Sequence, residues 1–222
     1  MKAVATKLQI AESLASLCEA KPLGKISVSD IIERTGKNRK TFYYHFEDKD
    51  ALIVWKYRYD LGQELENLEQ EPGVTLVYES DQDASKDLAA YPFYLTNPVD
   101  ASTLDQTQFF EAVAHVVKRQ PHFYGQALLE TGPGSLRTYL FALYRPMFEQ
   151  DIRYMLANRY FPQEGVDCLA DFFTTGFVYN LVSHFEQPML VWSHPDCSQF
   201  GNLIHMSMKS LLDNTQLRRR ID

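Results

Sequence analysis

Ten residues near the N-terminus, KNRKTFYYHF at 37–46, combine many hydrogen-bond donors with two phenylalanines. The donor side chains are, in chain order, Lys37, Asn38, Arg39, Lys40, Thr41, Tyr43, Tyr44 and His45. Arginine and lysine can donate to the major-groove edge of guanine, and amides, hydroxyls and imidazoles can donate to phosphate oxygens. The composition favours contact with nucleic acid. The alternative is a solvated basic turn beside an aromatic core.

The residues around this stretch predict two short helices joined by a tight turn. Ser27 is a good N-cap, and Asp30 three positions later nearly completes a capping box. Gly36 suits the left-handed position that ends a helix, and Asn38 can cap the helix that restarts after it. Two short helices separated by such a turn form a helix-turn-helix.

The second of these helices has an inner and an outer face. At 100° per residue, Phe42 and Phe46 turn inward as core while Arg39, Lys40 and the tyrosines project outward. Arg39 and Lys40 stand in the first turn, from which a recognition helix usually reads bases. The residues expected to donate to phosphates are Asn38, Thr41, Tyr43, Tyr44 and His45.

Residues 26–52, ISVSDIIERTGKNRKTFYYHFEDKDAL, resemble the DNA-binding domain of the TetR family of transcriptional regulators. The matching positions are Ser27, Ile31, Gly36, Thr41, Phe42, Tyr43, His45, Phe46 and Lys49. The resemblance implies a sequence-specific DNA-binding protein. It implies base contacts from Arg39, Lys40 and Tyr43, and phosphate contacts from Tyr43, Tyr44, His45 and Lys49.

Three positions depart from the family pattern. Thr35 replaces the usual alanine before the glycine, and Lys37 replaces the usual apolar residue after it. Lys37 either adds a phosphate contact or loosens the turn. Ser29 stands where the family commonly has a basic or polar base-contacting residue, and it completes the predicted DNA-binding set.

Charge is distributed unevenly along the 222 residues. Residues 1–60 carry 11 Lys and Arg against 8 Asp and Glu, whereas the rest of the chain carries 11 against 21. A mildly basic head and an acidic body suggest two roles. Without an apolar run of about 20 residues or a signal-like N-terminus, we expect a cytoplasmic protein with no membrane contact. Its three cysteines are expected to be buried free thiols.

The predicted fold class is all-α, with a three-helix DNA-binding domain at 1–50 and a helical effector-binding and dimerisation domain at 51–222. A long helix follows Lys49 and is expected to stop at Glu71. Residues 74–106 fit no single element, although VTLVYES has β-type residues. Helical patterns return at Thr107, and Pro146 predicts a kink in one of them.

The late helices are predicted to form the dimer, as the resemblance implies. The segment at 165–188 is apolar on nearly all sides, so we expect it to be buried, and Gly176 would allow close approach. The resemblance also implies an unidentified small-molecule effector. Its lining is not predicted, since nearby aromatic and histidine side chains are explained more simply as core or interface. YLFALYRPMFEQDIRYML at 139–156 is similar to TetR-type regulators of dihydroxyacetone-kinase operons.

An enzyme and a protein-docking adaptor are the two other classes of function that such a chain could have. An enzyme is not expected, because the six histidines have no metal-ligand spacing and no nucleophile motif is present. No cofactor or metal is predicted. An adaptor that acts by docking a protein partner is the alternative, but Arg39, Lys40, Tyr43 and Lys49 argue against it. The sequence predicts a homodimeric regulator on a palindromic operator in double-stranded DNA, with repression as the default.

Overall fold

The computed structural model describes residues 2–68, 72–79, 88–186 and 197–214. Within them the chain is mostly helical, which confirms the all-α prediction. The helices are α1 (Lys2–Cys18), α2 (Val28–Thr35), α3 (Arg39–His45), α4 (Lys49–Glu66), α5 (Thr107–Arg119), α6 (Pro121–Leu129), α7 (Leu136–Leu156), α8 (Gln163–Glu186) and α9 (Cys197–Asn214). None of these helices is both long enough and apolar enough to cross a bilayer.

The helices α1, α2 and α3 form the head. A 3-10 turn at Leu23–Lys25 joins α1 to α2, and its Leu23 side chain is buried. Ile10, Ile31 and Phe42 have no exposed surface and meet in one hydrophobic core with the inner face of α4. The head is therefore continuous with the helix that leads out of it.

The long helix α4 begins at a regular cap and ends earlier than predicted. Asp48 caps it by accepting a hydrogen bond from the Ala51 N–H at 2.7 Å. The last helical residue is Glu66, so the expected stop at Glu71 was wrong. Most of α4 is enclosed, and three of its buried side chains, Lys56, Arg58 and Asp60, are charged.

Two small antiparallel ribbons occupy the segment that the sequence left unassigned. The strands are β1 (Thr75–Val77), β2 (Tyr94–Thr96), β3 (Pro98–Asp100) and β4 (Thr103–Leu104). In the first ribbon Thr75 pairs with Thr96 and Val77 with Tyr94. The second ribbon pairs β3 with β4 and has an irregular register. The β-type residues of VTLVYES therefore do form a strand.

The remaining helices form the body, in which α7 packs along α8 and α5 packs against α9. Pro146 lies inside α7, which continues as one helix to Leu156. Ala157 adopts a positive φ of 50° directly after the last residue of α7. The body also contacts the head directly, since α6 packs against α1 and against the 3-10 turn.

The helix α8 is buried on one side only within this chain, which differs from the burial expected on all sides. Phe173 and Phe177 lie in the core, whereas Phe172 and Tyr179 are 67% and 53% exposed. The cysteines also differ from expectation. Cys18 is buried, which raises its pKa to about 11, but Cys168 is exposed, and the side chain of Cys197 lies outside the described residues.

Candidate nucleic-acid interface

The N-terminus of α2 is held by a complete capping box. The Ser27 hydroxyl accepts a hydrogen bond from the Asp30 N–H at 3.2 Å, and the Ser27 N–H donates to the Asp30 carboxylate at 2.6 Å. The Ser27 hydroxyl also donates to the Asp30 carboxylate at 2.7 Å. This bond, the bond from the Ser27 N–H and the ion pair with Lys21 at 3.0 Å lower the pKa of Asp30. Ser29 follows the cap, and its side chain is exposed. The box fixes where α2 begins and leaves Ser29 on the surface.

The turn between α2 and α3 is closed tightly. Gly36 adopts the left-handed conformation, with φ of 63°, that glycine tolerates best. The Thr35 hydroxyl donates to the carbonyls of Ile31 and Ile32, and it accepts a hydrogen bond from the Lys37 N–H at 3.3 Å. The Lys37 N–H also bonds to the Ile32 carbonyl at 3.2 Å, so the turn is closed by backbone hydrogen bonds with lysine at this position. The Lys37 side chain is exposed beside α3.

The helix α3 has a side-chain cap at its N-terminus and a buried face. The Asn38 side chain accepts hydrogen bonds from the Thr41 N–H at 2.8 Å and from the Thr41 hydroxyl at 3.1 Å. Phe42 and Phe46 are buried, and the Phe46 ring packs against Trp55 of α4 with centroids 5.8 Å apart. Truncating a buried phenylalanine to alanine typically costs about 3 to 5 kcal/mol. These anchors hold a seven-residue helix that is too short to be stable alone.

The outer side of α3 carries the residues predicted to contact DNA. Arg39, Lys40, Tyr43 and Tyr44 are all exposed, and we call them the recognition face. Tyr44 is 81% exposed, which is unusual for an aromatic ring in a chain with a large core. The recognition face presents two cations and two phenolic hydroxyls on one surface. This arrangement can donate hydrogen bonds to base edges and to phosphate oxygens.

Three predicted residues sit at the edge of the recognition face. Thr41 is half-buried, and its hydroxyl donates to the Asn38 side chain at 3.1 Å. The His45 ring lies edge-on to Tyr44, with ring centroids 4.9 Å apart. The Lys49 ammonium donates to the Leu23 carbonyl at 2.7 Å and to the Ile26 carbonyl at 3.3 Å. Lys49 thus ties the start of α4 to the head, and one of its three N–H groups is left over for a phosphate.

The head is also fixed by contacts that no local sequence pattern indicated. Gln126 of α6 accepts a hydrogen bond from the Leu23 N–H and donates to the Cys18 carbonyl at 3.0 Å. Lys7 lies over the rings of Phe46 and Trp55, 5.2 and 5.5 Å from their centroids. These partners are far apart in the chain, so only the folded structure brings them together.

A buried ionic cluster joins the head to the body. The Lys56 ammonium bonds to Glu12 of α1 at 2.7 Å and to Asp60 at 2.9 Å. The Tyr124 hydroxyl of α6 donates to the same Asp60 carboxylate at 2.5 Å. Burial and the Asp60 charge raise the pKa of Tyr124, which therefore remains a donor. The cluster links α1, α4 and α6 through a single ammonium group.

The body contains open cavities. One cleft of about 440 Å³ lies between α7 and α8 and is lined partly by Phe141, Thr175 and Tyr179. The second cavity, of about 270 Å³, lies beside β4 and α9. Tyr124 and Tyr144 of the body are core residues with no exposed surface.

Comparison with known proteins identifies the head. Residues 10–54 match the model of the family described as bacterial regulatory proteins, tetR family. The HTH-type dhaKLM operon transcriptional activator DhaS of Lactococcus lactis subsp. lactis (strain IL1403) is 31% identical over 62 residues, which is 28% of this chain. The aligned stretch spans 33% of that activator's length.

Two solved structures share the fold over nearly the whole chain. A dihydroxyacetone kinase operon activator DhaS is 11% identical with a TM-score of 0.53, covering 95% of this chain and 97% of its own. A TetR transcriptional regulator from Rhodococcus sp. RHA1 is 17% identical with a TM-score of 0.53, covering 97% of this chain and 100% of its own. The predicted TetR resemblance is confirmed: residues 10–54 match the tetR family model, and the described chain shares its fold with these two regulators.

Proposed function

We propose that this chain regulates transcription by binding operator DNA as a homodimer through the recognition face of α3. The observation that carries the proposal is the exposure of Arg39, Lys40, Tyr43 and Tyr44 on a helix whose cap, turn and anchors are all in place. Residues 1–50 would bind DNA, and residues 51–222 would dimerise and bind an effector. The recognition helices of the two copies would enter successive major grooves about 34 to 36 Å apart.

The exposed side of α8 supports dimerisation. Phe172 and Tyr179 stand seven positions apart, with Thr175 and the small Gly176 between them, and this spacing makes one helical stripe. A side chain added at Gly176 would meet nothing within 4 Å, so a partner helix has room to approach. Leu203 and Met206 of α9 are also exposed apolar residues, at 53% and 71%. Large exposed apolar patches commonly mark interfaces.

The homodimer is tested by introducing charge into the α8 stripe. Phe172→Glu and Tyr179→Glu should convert the dimer into a monomer of 25.7 kDa, because each buries a carboxylate in the proposed interface. Multi-angle light scattering after gel filtration measures the mass. Tyr160→Glu is the matched control, since Tyr160 is 57% exposed but lies after α7, away from the stripe. Monomeric wild-type protein, or three variants that all stay dimeric, would exclude this interface.

DNA binding is tested with labelled DNA from upstream of the protein's own gene. The fluorescence anisotropy of the labelled DNA reports binding. The affinity for this DNA is compared with the affinity for scrambled DNA over a series of salt concentrations. Arg39→Ala should weaken binding by about 1 to 3 kcal/mol and relax base preference, because it removes a predicted base contact. Tyr43→Ala should weaken binding to both DNAs through the loss of a phosphate contact. Tyr160→Ala should change neither property.

The competing adaptor function predicts a different result. Wild-type protein would then bind both DNAs equally and weakly, and the binding would vanish as salt rises. If Arg39→Ala leaves affinity and preference unchanged on a DNA that the wild type selects, the assignment of Arg39 is wrong.

We propose repression as the sign of regulation, since a dimer on its operator blocks access to the promoter. The aligned relative is an activator, so reporter expression with and without the protein decides the sign.

A further inference from the structure

The end of α1 and the start of the 3-10 turn each leave a main-chain group that its own helix cannot satisfy. The Cys18 carbonyl would normally bond to the N–H four positions on, but that residue is Pro22, which has no N–H. The Lys21 N–H bonds to the Leu17 carbonyl at 3.1 Å. The Leu23 N–H stands at the first position of the 3-10 turn, where the turn itself offers no acceptor. Both groups need a partner from elsewhere in the fold.

One side chain of the body supplies both partners. The Gln126 amide oxygen of α6 accepts from the Leu23 N–H, and the amide nitrogen donates to the Cys18 carbonyl at 3.0 Å. An amide carries a donor and an acceptor on one planar group, whereas a carboxylate only accepts and a thioether is a weak acceptor. Gln126 is half-buried, so both bonds are partly shielded from water. A single amide of α6 therefore holds the joint between α1 and α2.

Two glycines allow the end of α6 and the loop after it to come close to the head and α4. A side-chain carbon added at Gly24 would lie 3.2 Å from Oε1 of Glu130, which directly follows α6. A side-chain carbon added at Gly134, between α6 and α7, would lie 3.0 Å from the carboxylate of Asp50 in the first turn of α4. The corner between α6 and α7 therefore fits closely against the joint that Gln126 holds.

The main chain of Leu23 is held from two sides. Its N–H bonds to Gln126 of the body, and its carbonyl accepts from the Lys49 ammonium of α4 at 2.7 Å. The helix α2 begins at Val28, five residues after Leu23, and α3 packs against α2. A displacement of the 3-10 turn would therefore carry the recognition face with it.

We propose that Gln126 is a positioning residue that fixes the orientation of the head on the body. Tyr124 of the same helix bonds to the Asp60 side chain, and a contact between two side chains can adapt when helices shift. Gln126 bonds to main-chain atoms at two helix ends, so its bonds hold only one placement of the 3-10 turn. When they open, the head stays joined to α4 through Lys49 and the shared core and tilts against α6.

The consequence for DNA rests on the proposed function. Two recognition faces enter successive major grooves only when each head is held at a defined angle. Gln126 itself lies on α6 and belongs to no surface predicted to contact DNA. Its effect on DNA binding would therefore pass through the joint between α1 and α2.

The orientation is measured without DNA, as the distance between a spin label on the head and one on the body. The exposed residues Glu33 of α2 and Gln150 of α7 are replaced by labelled cysteines in a Cys168→Ser and Cys197→Ser background. Labelled protein is diluted with unlabelled protein, so that a dimer holds one labelled pair. Gln126→Met keeps nearly the length of the side chain and removes both hydrogen bonds. It should broaden the distribution of distances, measured by double electron–electron resonance, about twofold, because the head then populates several orientations.

A second variant and a matched control complete the distance measurement. Gln126→Glu keeps an acceptor for the Leu23 N–H but turns a second acceptor toward the Cys18 carbonyl, so it should broaden the distribution even if Gln126→Met fails to fold. Gln63→Met makes the control substitution at an exposed amide that bonds to Glu66 within α4, and its distribution should match the wild type. Gln126 variants as narrow as Gln63→Met overturn the positioning role.

The DNA titration tests the consequence separately. Gln126→Met should weaken binding about tenfold to a DNA that the wild type selects, because a head without a fixed orientation must be ordered on binding. The salt slope should stay unchanged, since no phosphate contact is lost. A broadened distribution with wild-type affinity overturns the role of Gln126 in DNA binding. A wild type that selects no DNA counts against the regulator hypothesis instead, and the distance measurement still decides the orientation.

Discussion

Lys49 offers a sharp test of how the head is held, because the family resemblance and the structure give it different partners. The resemblance implies a phosphate contact, whereas the folded chain uses two of the three ammonium N–H groups on the carbonyls of Leu23 and Ile26. Lys49→Met keeps the length of the side chain and removes both hydrogen bonds. We expect this variant to loosen the junction between the head and α4.

The size of the effect follows from the two contacts. A hydrogen bond to a charged group contributes about 1.5 to 3 kcal/mol when it is well made. Lys49 is only half-buried and its bond to Ile26 is long at 3.3 Å, so about 2 kcal/mol is expected for the pair. In a chain of this size each kcal/mol shifts the melting temperature by about 2 to 4 °C. Lys49→Met should therefore melt about 4 to 8 °C lower.

Lys40→Met is the matched control, since Lys40 is exposed on the recognition face. Its free energy of unfolding should lie within about 0.5 kcal/mol of the wild-type value, as is usual for surface substitutions. In the DNA titration, Lys40→Met should reduce the salt slope by about one, as expected when a phosphate or base-edge cation is lost. Lys49→Met should weaken binding without changing the slope. Unchanged melting of Lys49→Met would refute the junction role, and a slope loss equal to that of Lys40→Met would show a phosphate contact.

Further predictions concern the buried polar contacts of α4. Lys56→Met should cost about 3 to 5 kcal/mol in urea unfolding, because it leaves the buried Asp60 carboxylate without its cation. Glu12→Gln should cost less than about 1 kcal/mol, since the Glu12 side chain is about half exposed. Partial burial acts to raise the pKa of Glu12, but the hydrogen bond and charge of Lys56 outweigh it and lower the pKa. Stability from Glu12 is therefore present above pH 4.5 and lost as pH falls below it, and Glu12→Gln should flatten this acid limb. Tyr57→Phe should cost about 1 to 3 kcal/mol by orphaning the Tyr144 hydroxyl, and adding Tyr144→Phe should recover part of that loss.

The head could be predicted from sequence because its determinants are local. The capping box of Ser27, the left-handed Gly36 and the Asn38 cap each depend on residues within four positions. Each of these three features marks the residue at which a helix begins or ends, so together they predict the turn and the orientation of α3. The inner and outer faces of α3 were predicted correctly for the same reason. The carbonyl contacts of Lys49 were not predicted, because these partners precede it by more than 20 residues, and its phosphate contact stays a prediction.

The body was harder to predict because its polar residues are satisfied at long range. Arg58 is fully buried and donates to the Tyr139 hydroxyl, the carbonyls of Leu88 and Tyr91, and the Glu79 carboxylate. Nothing near Arg58 in sequence marks it as a core residue. The same holds for the buried Asp151 of α7, whose carboxylate bonds to Gln106 at 3.2 Å and to His205 of α9 at 3.2 Å. Periodicity describes which face of a helix is apolar, but it cannot identify a charged side chain whose partners arrive from another part of the fold.

The consecutive residues Lys56, Tyr57 and Arg58 show how α4 would have to move if the body controls the head. Successive side chains on a helix point about 100° apart, so the three residues reach different neighbours. Lys56 bonds to α1 and Lys49 to the 3-10 turn, so α4 is tied to the head by two ammonium groups. Tyr57 and Arg58 bond to the body instead. Because Lys56 forms an ion pair with Glu12, Lys49 bonds to two carbonyls of the head, and the head and α4 share one hydrophobic core, we expect α4 to move with the head as one unit. The contacts that must then change are those of Tyr57 and Arg58 with the body and those of α6 with Asp60 and with the 3-10 turn.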